Sequence, residues 1–113
     1  MEYQRSDRIG DLLVEIISDL LRREARDPRL GSLTITTAKV TKDLRHAKVY
    51  FRLLGAAVDR KEVLTGLKSA TGFLRTKIAK QLKLRFVPTL EFFYDETEDV
   101  AQHIENLLKQ VKS

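Results

Sequence analysis

The chain has 113 residues, 42% of them apolar and 33% charged, enough for one domain with a buried core and no covalent staples. Cysteine is absent, which excludes a disulfide scaffold, a thiolate metal site, a cysteine-attached haem and a cysteine nucleophile. Lys and Arg outnumber Asp and Glu by 21 to 16, so the formal charge is +5, the pI is near 9.6, and an anionic partner is expected.

Met1 to Arg5 is followed by no long apolar run, so no secretory signal is expected. No apolar cluster approaches the roughly 18 residues that suggest a membrane span. Ser6-Asp7 has the character of a helix start. Beyond it Ile9, Leu12, Leu13, Ile16, Ile17, Leu20 and Leu21 recur at helical spacing, with charged residues between them. Asp27-Pro28 ends this helix, and Gly31 permits the turn.

Leu33 to Thr41 is rich in β-branched residues and reads as a strand. Its apolar parity changes midway, which predicts a bulge near Thr36-Thr37 or partial burial on both faces. Lys42 to Arg45 is a turn. In the next strand Ala47, Val49, Phe51 and Leu53 point inward and Lys48, Tyr50 and Arg52 outward, giving an antiparallel hairpin.

After Gly55, Asp59 caps a second helix bearing Val63, Leu64, Leu67 and Ala70. Gly72 is expected to break it, at positive φ, in a kink or sharp turn over Ser69 to Gly72. A third helix then runs from Phe73 to about Leu84, with Leu74, Ile78 and Leu82 facing the core. Val87-Pro88 ends it, and Leu90 to Tyr94 forms a third strand. A last helix carries Val100, Ile104, Leu107, Leu108 and Val111 on one side, its acids early and Lys109 and Lys112 late, as the helix dipole favours. The sum is one α+β domain over 1–113, ordered α-β-β-α-kink-α-β with an additional C-terminal helix.

Catalytic groups are sparse. His46 and His103 are the only histidines, and no zinc, phosphate-loop or nucleophile-elbow motif occurs. Asp95, Glu96, Glu98 and Asp99 lack the spacing of a calcium loop and read as helix-start acids. No catalytic residue, metal ligand or cofactor is therefore expected.

The charge distribution is more informative. Residues 63–90 hold Lys68, Arg75, Lys77, Lys80, Lys83 and Arg85 and no acid. Ordinary surfaces interleave the two signs. Lys77, Lys80 and Lys83, flanked by Arg75 and Arg85, form a candidate stripe for neutralising RNA phosphates. The outward Lys48, Tyr50 and Arg52 are the secondary candidates for an RNA face. Tyr50 and Phe93 read as sheet and core aromatics, with base stacking as the alternative.

The order of elements resembles the type II KH fold of RNA-binding proteins. Where a typical KH domain has a Gly-x-x-Gly clamp, this chain has Ser69-Ala70-Thr71-Gly72, without the first glycine. The motif Ala70-Thr71-Gly72 resembles the helix kink of the ribosome-binding factor A family. So do Asp27 to Leu30 before Leu33 to Thr36, the hairpin from Val40 to Phe51, and Leu74-Arg75 followed by Leu84 to Leu90. Their order and spacing match the family from about Ser6 to Asn106.

The resemblance implies a monomeric, cytoplasmic, non-enzymatic assembly factor. It would bind the free small (30S) ribosomal subunit and help mature the 5′ end of 16S rRNA, above all in the cold. Assembly GTPases are candidate partners. Two alternatives remain open: a general KH-like binder of single-stranded RNA, and a small RNase using His46 and His103.

Overall fold

In the computed structural model, which describes residues 2–24, 27–30, 33–55 and 59–112, the first helix, α1, spans Arg5–Arg23. It starts just before the expected Ser6-Asp7. Gln4 is the capping residue, its backbone N–H donating to the Asp7 carboxylate at 2.8 Å, while Ser6 is buried in the first turn. Ile9, Leu13, Ile17, Leu20 and Leu21 form the buried stripe. A short 3-10 turn, Pro28–Leu30, follows. Gly31, expected to permit the turn there, lies outside the described residues.

Strands β1 (Leu33–Val40) and β2 (His46–Leu53) form the expected antiparallel hairpin. The bulge falls where the parity change placed it: Ile35 pairs with Phe51 and Thr37 with Tyr50, so Thr36 is the extra residue. Leu44 closes the turn at φ 61°. Ala47, Val49 and Phe51 are buried as alternation required, and Leu53 packs half-buried at the end.

The expected break into two helices does not occur. Helix α2 runs without interruption through Arg60–Leu82, capped by the Asp59 carboxylate, which accepts the Lys61 N–H at 2.9 Å. Ala70, Thr71 and Gly72 are ordinary helical residues, and the positive-φ residues described are Leu44, Gly55 and Lys83. The physical reason is the buried stripe. Val63, Leu67, Leu74 and Ile78 are fully buried, with Ala70 between them, so one face serves both halves. Gly72 sits on the solvent side, and its cost of about 1 kcal/mol is small beside that burial. The helix also ends earlier than expected, with Lys83 as its C-cap in the left-handed conformation at φ 50°.

Strand β3 (Thr89–Tyr94) pairs parallel to β2, giving the sheet order β1-β2-β3 with α2 as the crossover. Helix α1 packs mainly on β1 and α2 on β3, so both cover the face bearing Ile35, Val49, Phe51, Leu90 and Phe92. The three-helix, three-strand α+β order and the parallel pair agree with the type II KH-like expectation. Phe93, read above as a core aromatic, is instead half-buried on the opposite face beside Tyr50.

Helix α3 (Thr97–Lys112) extends away from this core. Val100, Ile104, Leu107, Leu108 and Val111 do share one side, but they remain 46–83% exposed. No helix among the described residues is long and apolar enough to cross a membrane.

Candidate RNA-binding surface

Leu74 and Ile78 anchor the second half of α2, and this directs Lys80 outward at the helix end. Lys83 follows as the left-handed cap, so it leads into the loop rather than continuing a helical stripe. Arg85 comes next, its guanidinium carbon 5.5 Å from the ring of Phe86, which is itself 61% exposed. Lys80, Lys83 and Arg85 are all exposed, and no carboxylate among the described residues lies within ion-pair distance of them. A patch of this kind can neutralise phosphates with release of counterions.

The other two members of the candidate stripe are differently placed. Lys77 is half-buried, 3.7 Å from the Glu24 carboxylate at the end of α1 and over the Phe73 ring. Arg75 donates from Nε to the Pro88 carbonyl at 3.2 Å and from Nη2 to the Val87 carbonyl at 3.0 Å. Its guanidinium ties the loop after α2 back to the helix. Arg75 therefore anchors the far end of the loop that carries Arg85 and Phe86.

At Ala70-Thr71-Gly72 the helical backbone has a consequence for binding. A Gly-x-x-Gly clamp grips phosphates through a loop, whereas amides inside a helix already donate to carbonyls four residues back. The Thr71 hydroxyl donates to the Leu67 carbonyl and that of Thr76 to the Gly72 carbonyl, each at 3.0 Å. These residues thus offer neither a loop nor free amides to a phosphate.

On the hairpin, Lys48 and Tyr50 face outward as expected, but Arg52 is committed elsewhere. It donates to the Asp95 carbonyl at 2.8 Å and pairs with Glu98 at 3.4 Å and Asp99 at 3.3 Å at the start of α3. The Asp99 hydrogen bond, chiefly, raises the pKa of the guanidinium. Sequence reasoning missed Lys39, which the bulge brings opposite Lys48 on the same face. Its signal was the parity change itself, carried one strand further.

His46 opens β2 and His103 lies midway along α3, and no described cavity is lined by both. Among the described residues no cluster of three or more His, Asp or Glu side chains could hold a metal ion.

A model of the ribosome-binding factor A family matches residues 5–108. The chain belongs to that family. Ribosome-binding factor A of Citrifermentans bemidjiense is 48% identical over 108 residues, 96% of this chain and 91% of the relative. The crystal structure of ribosome-binding factor A from Thermus thermophilus superposes with a TM-score of 0.71 at 24% identity, covering 81% of this chain and 97% of that one. A homology model of the Thermus thermophilus factor, fitted into a cryo-EM map of a 30S–RbfA complex, matches with a TM-score of 0.65 at 24% identity, covering 80% and 96%. The likeness to these two structures establishes the shared fold.

Proposed function

We propose that this ribosome-binding factor is a cytoplasmic small-subunit assembly factor, a single KH-like domain over 1–113 acting as a monomer without cofactor or catalysis. It docks on 16S rRNA of the free 30S subunit and holds an immature conformation while the 5′ end of the rRNA is processed. Cold raises the need, because misfolded RNA helices rearrange more slowly. Assembly GTPases are the candidate agents of release.

The observation that carries this reading is a related factor in a 30S complex. The unpaired cations Lys80, Lys83 and Arg85 supply the chemistry, with Lys77 beside them and Arg75 holding the loop. About three phosphate contacts correspond to a log–log salt slope of roughly −2 to −3.

Sedimentation with ribosomal fractions at two salt concentrations tests it. The protein should travel with free small subunits and only weakly with large subunits or translating ribosomes. A Lys77/Lys80/Lys83→Gln variant should keep its circular dichroism and melting midpoint while its salt slope becomes shallower by about two units. Equal partition over all ribosomal fractions would refute the assignment, and an unchanged slope in the folded variant would move the surface elsewhere.

A further inference from the structure

The sheet face left uncovered by α1 and α2 has a different chemistry from the end of α2. Tyr50 of β2 and Phe93 of β3 are register partners there, their ring centroids 5.7 Å apart and their planes at 31°. Lys39 and Lys48, themselves register partners, stand together in the neighbouring cross-strand row. The Lys39 ammonium lies 5.6 Å from the Tyr50 ring centre and that of Lys48 lies 5.8 Å from the Phe93 ring centre. Both lysines are exposed, so their flexible stems can swing aside from the rings.

A cross-strand aromatic pair alone could serve only the sheet. Here the pair lies next to a row holding two exposed cations, beside a cleft of about 490 Å³ lined by Thr37, Lys39, Tyr50, Tyr94, Asp95 and Val100. Flat rings that present a π-face, with ammonium groups one side chain away, match a base joined to a phosphate. The acids nearby give the site a direction. Asp95 and Glu96 close the α3 end of the cleft, and Glu91 is the register partner of Lys48 on β3. A phosphodiester backbone is repelled from the α3 end and from the β3 end of the lysine row, and drawn to its β1–β2 part, between Lys39 and Lys48.

We propose that this face is a stacking platform for unpaired nucleotides of RNA, one base on Tyr50 and the next on Phe93, with the intervening phosphate between Lys39 and Lys48. The proposal rests on the reading of the protein as an rRNA-binding factor and adds to it a preference for single strands. Base-paired nucleotides have both π-faces covered by their neighbours and cannot use the rings.

Fluorescence anisotropy with a labelled oligouridine, and with an RNA duplex of equal length, tests the platform. A Tyr50→Leu/Phe93→Leu variant keeps apolar cover on the sheet but removes the stack. If its melting curve is native, it should bind the oligouridine at least about thirty-fold more weakly, since two stacked bases are lost. Its duplex affinity should be unchanged. Lys39→Gln/Lys48→Gln, which removes both cations from one phosphate, should make the single-strand salt slope shallower by about 0.7. On the wild-type protein, oligouridine should shift the aromatic NMR signals of Tyr50 and Phe93, a readout independent of whether the leucine variant folds. Unmoved signals, wild-type affinity in a folded leucine variant, or an equal loss for duplex would each overturn the platform. Sedimentation of the wild-type protein with small subunits is the separate arm. Its failure overturns the assembly-factor reading, whereas intact sedimentation beside a failed oligouridine arm overturns the platform alone.

Discussion

Gly10 and Gly72 both lie inside helices, yet a methyl group at the two positions should act in opposite directions. A Cβ at Gly10 would run into the carbonyl oxygen of Ala38, because α1 crosses β1 there with no space for a side chain. Backbone cannot yield as a flexible side chain does, so Gly10→Ala should lower stability by about 1–3 kcal/mol. A Cβ at Gly72 meets nothing, and its backbone is already helical. Gly72→Ala should therefore raise stability by up to about 1 kcal/mol, and the melting midpoint by a few degrees. Thermal melts of the two variants decide both points. A destabilised Gly72→Ala would restore the strained turn that the sequence alone suggested.

Where β3 meets α3, one carboxylate joins three elements. Asp95 accepts from the hydroxyl of the bulge residue Thr36 at 2.6 Å and from the Thr97 amide opening α3 at 2.9 Å. Its own backbone N–H donates to the Phe51 carbonyl of β2 at 2.7 Å. The Thr36 bond leads, followed by the bonds from Thr97 and the field of Arg52, and together they bring the Asp95 pKa down to about 2. A carboxylate depressed in the folded state stabilises the fold fully above its unfolded pKa of about 4. That contribution is lost as the pH falls from about 4 through about 2. Asp95→Asn should consequently flatten the fall of the melting midpoint across this window, and its neutral-pH midpoint should be lower than that of the wild type. An acid limb identical to wild type would show that the junction holds no such linkage.

At the scale of the molecule, α3 stands apart from the helices that cover the sheet. The structure extends 57 × 39 × 18 Å, and the apolar side of α3 is open along its length. Its described ties to the rest include the exposed acids Glu98 and Asp99 on Arg52, while Glu96, just before the helix, pairs with Arg60. Such surface pairs contribute about 0–1 kcal/mol each. A chain stopped after Glu96 should lose only the helical circular dichroism of the 16 residues of α3 and keep a cooperative melt, with its midpoint lower by only a few degrees. Collapse of cooperativity would mean that α3 belongs to the core. Because no described ion pair joins α3 to Lys80, Lys83 or Arg85, the shortened chain should also keep the share of its salt slope on small subunits that these cations supply.

Local sequence was sufficient wherever a single element decides its own geometry. Strict alternation in β2 placed Ala47, Val49 and Phe51 inside, because side chains along a strand must alternate between faces. The parity change in β1 announced the bulge at Thr36, and Asp59 announced the start of α2. The acid-free run from 63 to 90 likewise carried Lys80, Lys83 and Arg85 as surface cations. Tertiary structure decided what depends on two elements at once. Gly72 weakens a helix by about 1 kcal/mol, but burial of Leu67 on one side of it and Leu74 on the other keeps α2 whole. Arg75 and Arg52 read as free cations along the chain. The carbonyls of Val87 and Pro88 and the acids of α3 claim them only after the loop and the helix have come to rest beside them. Lys39 belongs to both cases: the parity change announced the bulge that moves every later side chain of β1 to the other face, and only pairing with β2 sets it opposite Lys48.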